Sequence, residues 1–228
     1  MIRSWVNAQF KQKLQILLQA LVLAASLVVF PVHADVYERF FVAVGLDDGK
    51  TVSALLSRGF DPNTPNARGE PALISALRDG QLAVAEVLMA HPDLKVDQPN
   101  VSNETALMMA SLRGFSAWAR RLIDRGAAVN RPGWSPILYA ASGGDVATLH
   151  VLLKAGADLN STNPSGSTPL IMAARFGRDE VVMALLAAGA DLRYRNPAGQ
   201  DAVDAARWAG REYLAEMLEQ ALRSRWGP

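Results

Sequence analysis

The chain has 228 residues, half of them apolar, with 23 Lys and Arg against 22 Asp and Glu; that is enough for one domain or two small ones and excludes a disordered chain. From residue 35 onward 20 basic residues face 22 acidic ones, which speaks against a general nucleic-acid binder, whose signature is a basic excess. The absence of cysteine removes disulfides, thiolate metal sites, cysteine nucleophiles and a lipid-modified N-terminal cysteine, and three histidines leave metal and acid–base chemistry poorly supplied.

Residues 1–34 read as a targeting segment. They carry Arg3, Lys11 and Lys13 and no acid, and an apolar run extends from Leu14 to Phe30. Pro31 breaks that run, and Val32 and Ala34 fit the −3 and −1 pockets of a signal peptidase, so a Sec-type signal peptide cleaved after Ala34 is predicted. An uncleaved anchor is the competing reading; the run is 17 residues long with Gln15 and Gln19 inside it, short for a span of ~20. Cleavage predicts a periplasmic or secreted protein beginning at Asp35, free of the membrane. Lacking cysteine, it is at ease in an oxidising compartment.

From residue 36 the chain repeats itself. Gly166-Ser167-Thr168-Pro169-Leu170 with Ala173, Ala174 and Gly177 aligns with Gly133-Trp134-Ser135-Pro136-Ile137 with Ala140, Ala141 and Gly144. Weaker copies start at Gly69, Asn103 and Gly199, and the threonine-like position falls at 71, 105, 135, 168 and 201, giving periods of 34, 30, 33 and 33. Gly114 and Gly126, Gly144 and Gly156, and Gly177 and Gly189 are each 12 apart, marking a second apolar segment in each copy.

This pattern resembles the ankyrin repeat family, with its ~33-residue period and Thr-Pro-Leu-His-x-Ala signature. The resemblance covers residues 36–222. The predicted fold is an all-α solenoid of about six helix pairs with short hairpin fingers, with approximate repeats at 36–65, 66–99, 100–129, 130–162, 163–195 and 196–228 in a domain spanning 35–228. The family's signature histidine is absent: Ile74, Met108, Leu138, Ile171 and Asp204 stand in its place. In the first four copies apolar packing is expected to replace its hydrogen bond.

Elementary chemistry leads to the same helices. Thr168 and Ser135 are expected to cap first helices whose first turns hold Pro169 and Pro136, where no backbone donor is needed. Gly144 and Gly177 end those helices, and the Ala140-Ala141 and Ala173-Ala174 pairs permit close approach. Val181, Leu185 and Leu186 recur at helical spacing along a second helix. Asn163-Pro164-Ser165-Gly166 and Asn196-Pro197-Ala198-Gly199 fit type I turns. The first repeat has Asp47 where the mid-repeat glycine belongs, and the last is expected to expose Arg211, Glu212, Glu216 and Glu219. Both are expected to act as caps over apolar ends.

No catalytic residue, metal site or cofactor is predicted. Gly114-Phe115-Ser116-Ala117-Trp118 begins like a nucleophile elbow but lacks the second glycine and falls on a helix–helix turn. His91 and His150 have no second histidine nearby and read as surface residues. Asp47-Asp48 lacks the spaced acidic ladder of a cation loop.

Family members generally bind proteins on a concave face built from finger tips and first helices. The resemblance therefore implies partner-binding roles for Arg78, Asp79, Glu104, Leu112, Arg113, Trp134, Arg175, Phe176 and Trp208. The finger position is occupied by Glu70, Glu104, Trp134, Ser167 and Gln200, and is expected to vary and face outward. Trp118 is assigned to the core and Trp226 to a terminal tail. The 30-residue spacing before Ser135 predicts one truncated finger with Trp134 at the edge of a notch, and Arg113, Trp134, Arg175 and Phe176 are expected to form one patch beside it. The predicted function is a non-catalytic module, acting as a monomer in the periplasm or outside the cell, that binds a protein partner and no nucleic acid. The alternative is an accessory or immunity-type factor that modulates or protects an enzyme in that compartment.

Overall fold

Proline in the first turn and glycine past the last bound two of the helices in this chain. In the computed structural model, which describes residues 35–227, Pro136 opens a helix whose C-cap is Gly144 at φ 93°, a left-handed conformation that glycine adopts at least cost. The signal-peptide assignment lies outside the described residues.

Twelve helices follow one another among the described residues. The helix at residues 35–45 (α1) pairs with α2 (Gly49–Leu56); α3 (Ala72–Asp79) pairs with α4 (Leu82–Ala90), and α5 (Ala106–Leu112) with α6 (Ser116–Asp124). Next come α7 (Pro136–Gly143) with α8 (Val146–Lys154), α9 (Pro169–Arg175) with α10 (Asp179–Ala187), and α11 (Ala202–Trp208) with α12 (Glu212–Trp226). Among the described residues there is no strand, only an isolated bridge between Pro65 and Pro71. The fold is the all-α solenoid that the period implied. Helix α12 runs on to Trp226, so that residue belongs to a helix and not to a tail.

The helices stack in two rows. First helices α3, α5, α7, α9 and α11 pack in succession, while α2 packs on α4, α6 on α8 and α8 on α10. One apolar core runs between the rows from Phe40 to Leu218. Ala140, Ala141, Ala173 and Ala174 are fully buried in it, where a larger side chain would hold the helices apart. Ile74, Met108, Leu138 and Ile171, in the histidine column, are all buried, so apolar packing does replace the usual hydrogen bond.

Capping follows the expectation at Thr168, departs from it at Ser135, and occurs at Asp201 without having been expected. The Thr168 hydroxyl accepts from the Ile171 amide, and Asp201 and Asp204 form a reciprocal capping box. Ser135 does not cap α7; its hydroxyl lies 3.1 Å from that of Ser161 in the next loop. Asp47 holds φ 53° in the glycine position, and its carboxylate accepts from the amide of Val84 at 2.9 Å. That bond at the start of α4 helps offset the cost of a left-handed aspartate, a conformation its short polar side chain tolerates.

At the C-terminal end, Arg211, Glu212 and Glu216 are exposed as expected, whereas Glu219 is half-buried because Arg207 and Arg223 both reach it. Helix α11 packs on α9 and α12 on α11, so deleting residues 199–228 should uncover Leu170, Ala173 and Ala174. The truncated chain is expected to aggregate or partly unfold. A monomeric truncation with an unchanged melting temperature, measured by circular dichroism and light scattering, would show the last repeat to be dispensable.

Candidate functional site

Four fingers are closed by one device. The amides of Asn66, Asn100, Asn163 and Asn196 donate to the carbonyls of Glu70, Glu104, Ser167 and Gln200 at 2.9–3.1 Å. Each asparagine carboxamide oxygen also accepts from backbone amides two and four residues on. Asn103 takes the glycine position of its finger at φ 61°. The fifth finger, residues 130–134, lacks these closing bonds among the described residues. Asn130 instead accepts from the Asp158 amide and donates to the Gly156 carbonyl, tying the short loop to the next repeat. The three missing residues therefore remove the hairpin, as the 30-residue spacing implied.

Beside that loop Trp134 is 38 % exposed and meets Tyr139 edge-on, with ring centroids 5.5 Å apart. The Tyr139 hydroxyl donates to Glu104 at 2.7 Å, and Glu104 also accepts from the Asn100 side chain at 2.8 Å. Burial, reinforced by the carboxylate, raises the tyrosine pKa well above its ordinary value. Tyr139 thus couples two fingers, a role that sequence reasoning missed. The available signal was an aromatic in a column otherwise holding Ser75, Met109, Met172 and Ala205.

The last turns of the first helices carry the other candidates. Asp79, Leu112, Arg113, Arg175, Phe176 and Trp208 are exposed and Arg78 is half-exposed. Arg78 bonds to Asp79 at 3.1 Å and to Glu70, and these partners raise its pKa further, the Asp79 hydrogen bond most. Glu70 is consequently buried, and so is Ser167, so two of the five finger positions do not face outward. Arg113 leans over Phe115, its guanidinium 5.7 Å from the ring centroid, and reaches towards Gly80 of the preceding repeat. Arg175 leans the opposite way, over the indole of Trp208 at 4.4 Å. The structure thus gathers the candidates into three groups: Arg78 with Asp79 and Glu70, Glu104 with Tyr139 and Trp134, and Arg175 with Trp208. Leu112 and Arg113 lie between the first two.

One further feature escaped the sequence. An open groove of about 300 Å³ lies between α1, α3 and the finger at 66–68, lined by Tyr37, Phe41, Ser75, Arg78 and Asp79. Tyr37 and Phe41 are one helical turn apart, with ring centroids at 4.9 Å, and the Tyr37 hydroxyl donates to the Pro65 carbonyl at 3.1 Å. His91 is half-buried and His150 exposed, and the His91 Nδ1 accepts from the Asp93 amide at 3.3 Å.

The family model described as ankyrin repeats, in three copies, matches residues 40–132 and again 128–196. The chain belongs to the ankyrin repeat family. No curated protein matches it. As an ankyrin repeat protein it is a protein–protein interaction module. Among the described residues no helix is long and apolar enough to cross a membrane.

Proposed function

We propose that this ankyrin module is a non-catalytic binding protein, exported to the periplasm or beyond, that takes a protein partner on its concave face. The observation that carries the reading is the set of large side chains left open on successive repeats, one at the short finger and two at the ends of first helices. Trp134, Phe176 and Trp208 are 38 %, 50 % and 69 % exposed on successive repeats, interleaved with Arg113 and Arg175. Tryptophan and arginine are enriched among residues that dominate binding energy, and the repeat's own packing requires neither at these positions.

Export supports the same reading through the Val32-His33-Ala34 sequence. N-terminal sequencing of the protein from its native host should find Asp35 first, and an intact, membrane-bound chain would overturn export by cleavage.

Trp134→Ala tests the binding face. A tryptophan anchor contributes at least ~2 kcal/mol, so truncation should weaken binding of a captured partner by more than about tenfold. The fold should tolerate it: Trp134 lies in a loop, and its edge-on contact with Tyr139 is worth about 1 kcal/mol. Partner affinity left intact in this variant would move the binding surface to the second helices.

A further inference from the structure

Arginines along the first-helix edge are satisfied unevenly. Arg78 is held by Glu70 and Asp79, and Arg207 by Glu219 with Glu212 4.0 Å away. Arg175 has no acidic partner among the described residues. Its guanidinium lies over the indole of Trp208, which follows the same edge one repeat further on. An arginine stacked on an aromatic face is held in one conformation while the donors around its rim stay available, in a fork that matches a carboxylate. Phe176 adjoins it in sequence and is half exposed, so two open aromatic surfaces accompany the cation.

We propose that Arg175, Trp208 and Phe176 form a docking platform for an acidic segment of the partner protein. An Asp or Glu carboxylate takes the guanidinium rim, and an apolar side chain beside it covers Phe176 and the indole. The charge complementarity is specific to this place, because the other arginines of the edge with aromatic or acidic neighbours differ from it. Arg78 and Arg207 already carry carboxylates, and Arg113 points away towards Gly80. An exposed ion pair alone adds little, but apolar neighbours that exclude water from its surroundings strengthen it. The proposal rests on the concave-face reading above and narrows it to one end and one ligand chemistry.

The test is selection of unmodified random peptides, displayed on phage, against the immobilised full chain. Recovered peptides should be enriched in Asp or Glu next to an aromatic or aliphatic residue, and their binding should weaken with added salt. Arg175→Gln should bind those peptides at least about tenfold more weakly and should select no acidic residues of its own. Arg175→Lys should not restore affinity, since lysine lacks the fork. Arg58→Gln, an exposed arginine after α2, should behave as the unaltered chain. The proposal falls if no peptide is recovered, if acids are not enriched, if Arg175→Gln binds equally well, if Arg175→Lys restores affinity, or if Arg58→Gln loses as much. Should Trp134→Ala weaken partner capture while acidic peptides fail, the platform falls and the concave-face reading stands.

Discussion

Replacing Trp118 by alanine should destabilise the module by roughly 3–5 kcal/mol, the range for removing a buried aromatic side chain. Trp118 lies on α6 and is only 7 % exposed. Arg121, one turn on, places its guanidinium 4.3 Å from the indole centroid and reaches Glu86 on α4 at 2.7 Å. The indole therefore fills the core of the third repeat and also supports an arginine that ties it to the second. Alanine leaves a cavity on one side and releases Arg121 on the other. Because each repeat contacts only its neighbours, damage in the third repeat divides the stack. At about 2–4 °C per kcal/mol for a chain of this size, the melting temperature should fall on the order of 10 °C. A loss under about 1 kcal/mol in thermal or denaturant unfolding would show that Trp118 is not a core residue. Partner binding measured below the transition should be unchanged, the reverse of the result expected for Trp134→Ala.

The period was legible because the repeat imposes backbone requirements that few residues meet. Proline at the first turn, glycine or Asp47 at a left-handed position, and alanine pairs between first helices each restrict the choice at a fixed offset. The short finger was legible for the same reason, as a change in spacing. What side chains do across repeats was not. Tyr139 and Glu104 meet from positions 35 residues apart, and nothing local to either residue announces the bond. Glu70 looks like a free acid in a finger, yet it pairs with Arg78 and is buried. Ser135 has the composition of a cap, but the neighbouring Ser161 claims its hydroxyl. The expected single patch likewise depended on rotamers: Arg113 and Arg175 belong to the same edge but lean in opposite directions, one to Gly80 and one to Trp208. Helix positions follow from the backbone code, whereas the grouping of surface side chains depends on neighbours supplied by other repeats.

Helices α5 and α7 pack closely at Gly143. This glycine ends α7 in ordinary helical geometry, and a Cβ added to it would overlap the Leu112 carbonyl oxygen of α5 and lie 3.0 Å from the carbonyl carbon. Two opposing effects meet there. Alanine is a better helix former than glycine by about 0.5–1 kcal/mol, so propensity alone favours Gly143→Ala. The added methyl, however, overlaps backbone and not the far end of a flexible side chain, so α5 and α7 must separate. Overpacking of this kind costs roughly 1–3 kcal/mol, which exceeds the gain in propensity. Gly143→Ala should therefore lower stability, and it should do so at the junction between the third and fourth repeats. Gly45 supplies the comparison: it is helical, on α1, and a methyl added there would meet nothing within 4 Å. Gly45→Ala should then show the propensity gain alone, up to about 1 kcal/mol of added stability. Denaturant unfolding of the two variants should give opposite signs. If both stabilise, α5 and α7 have room to part at Gly143, and their close approach there is not a constraint on the fold.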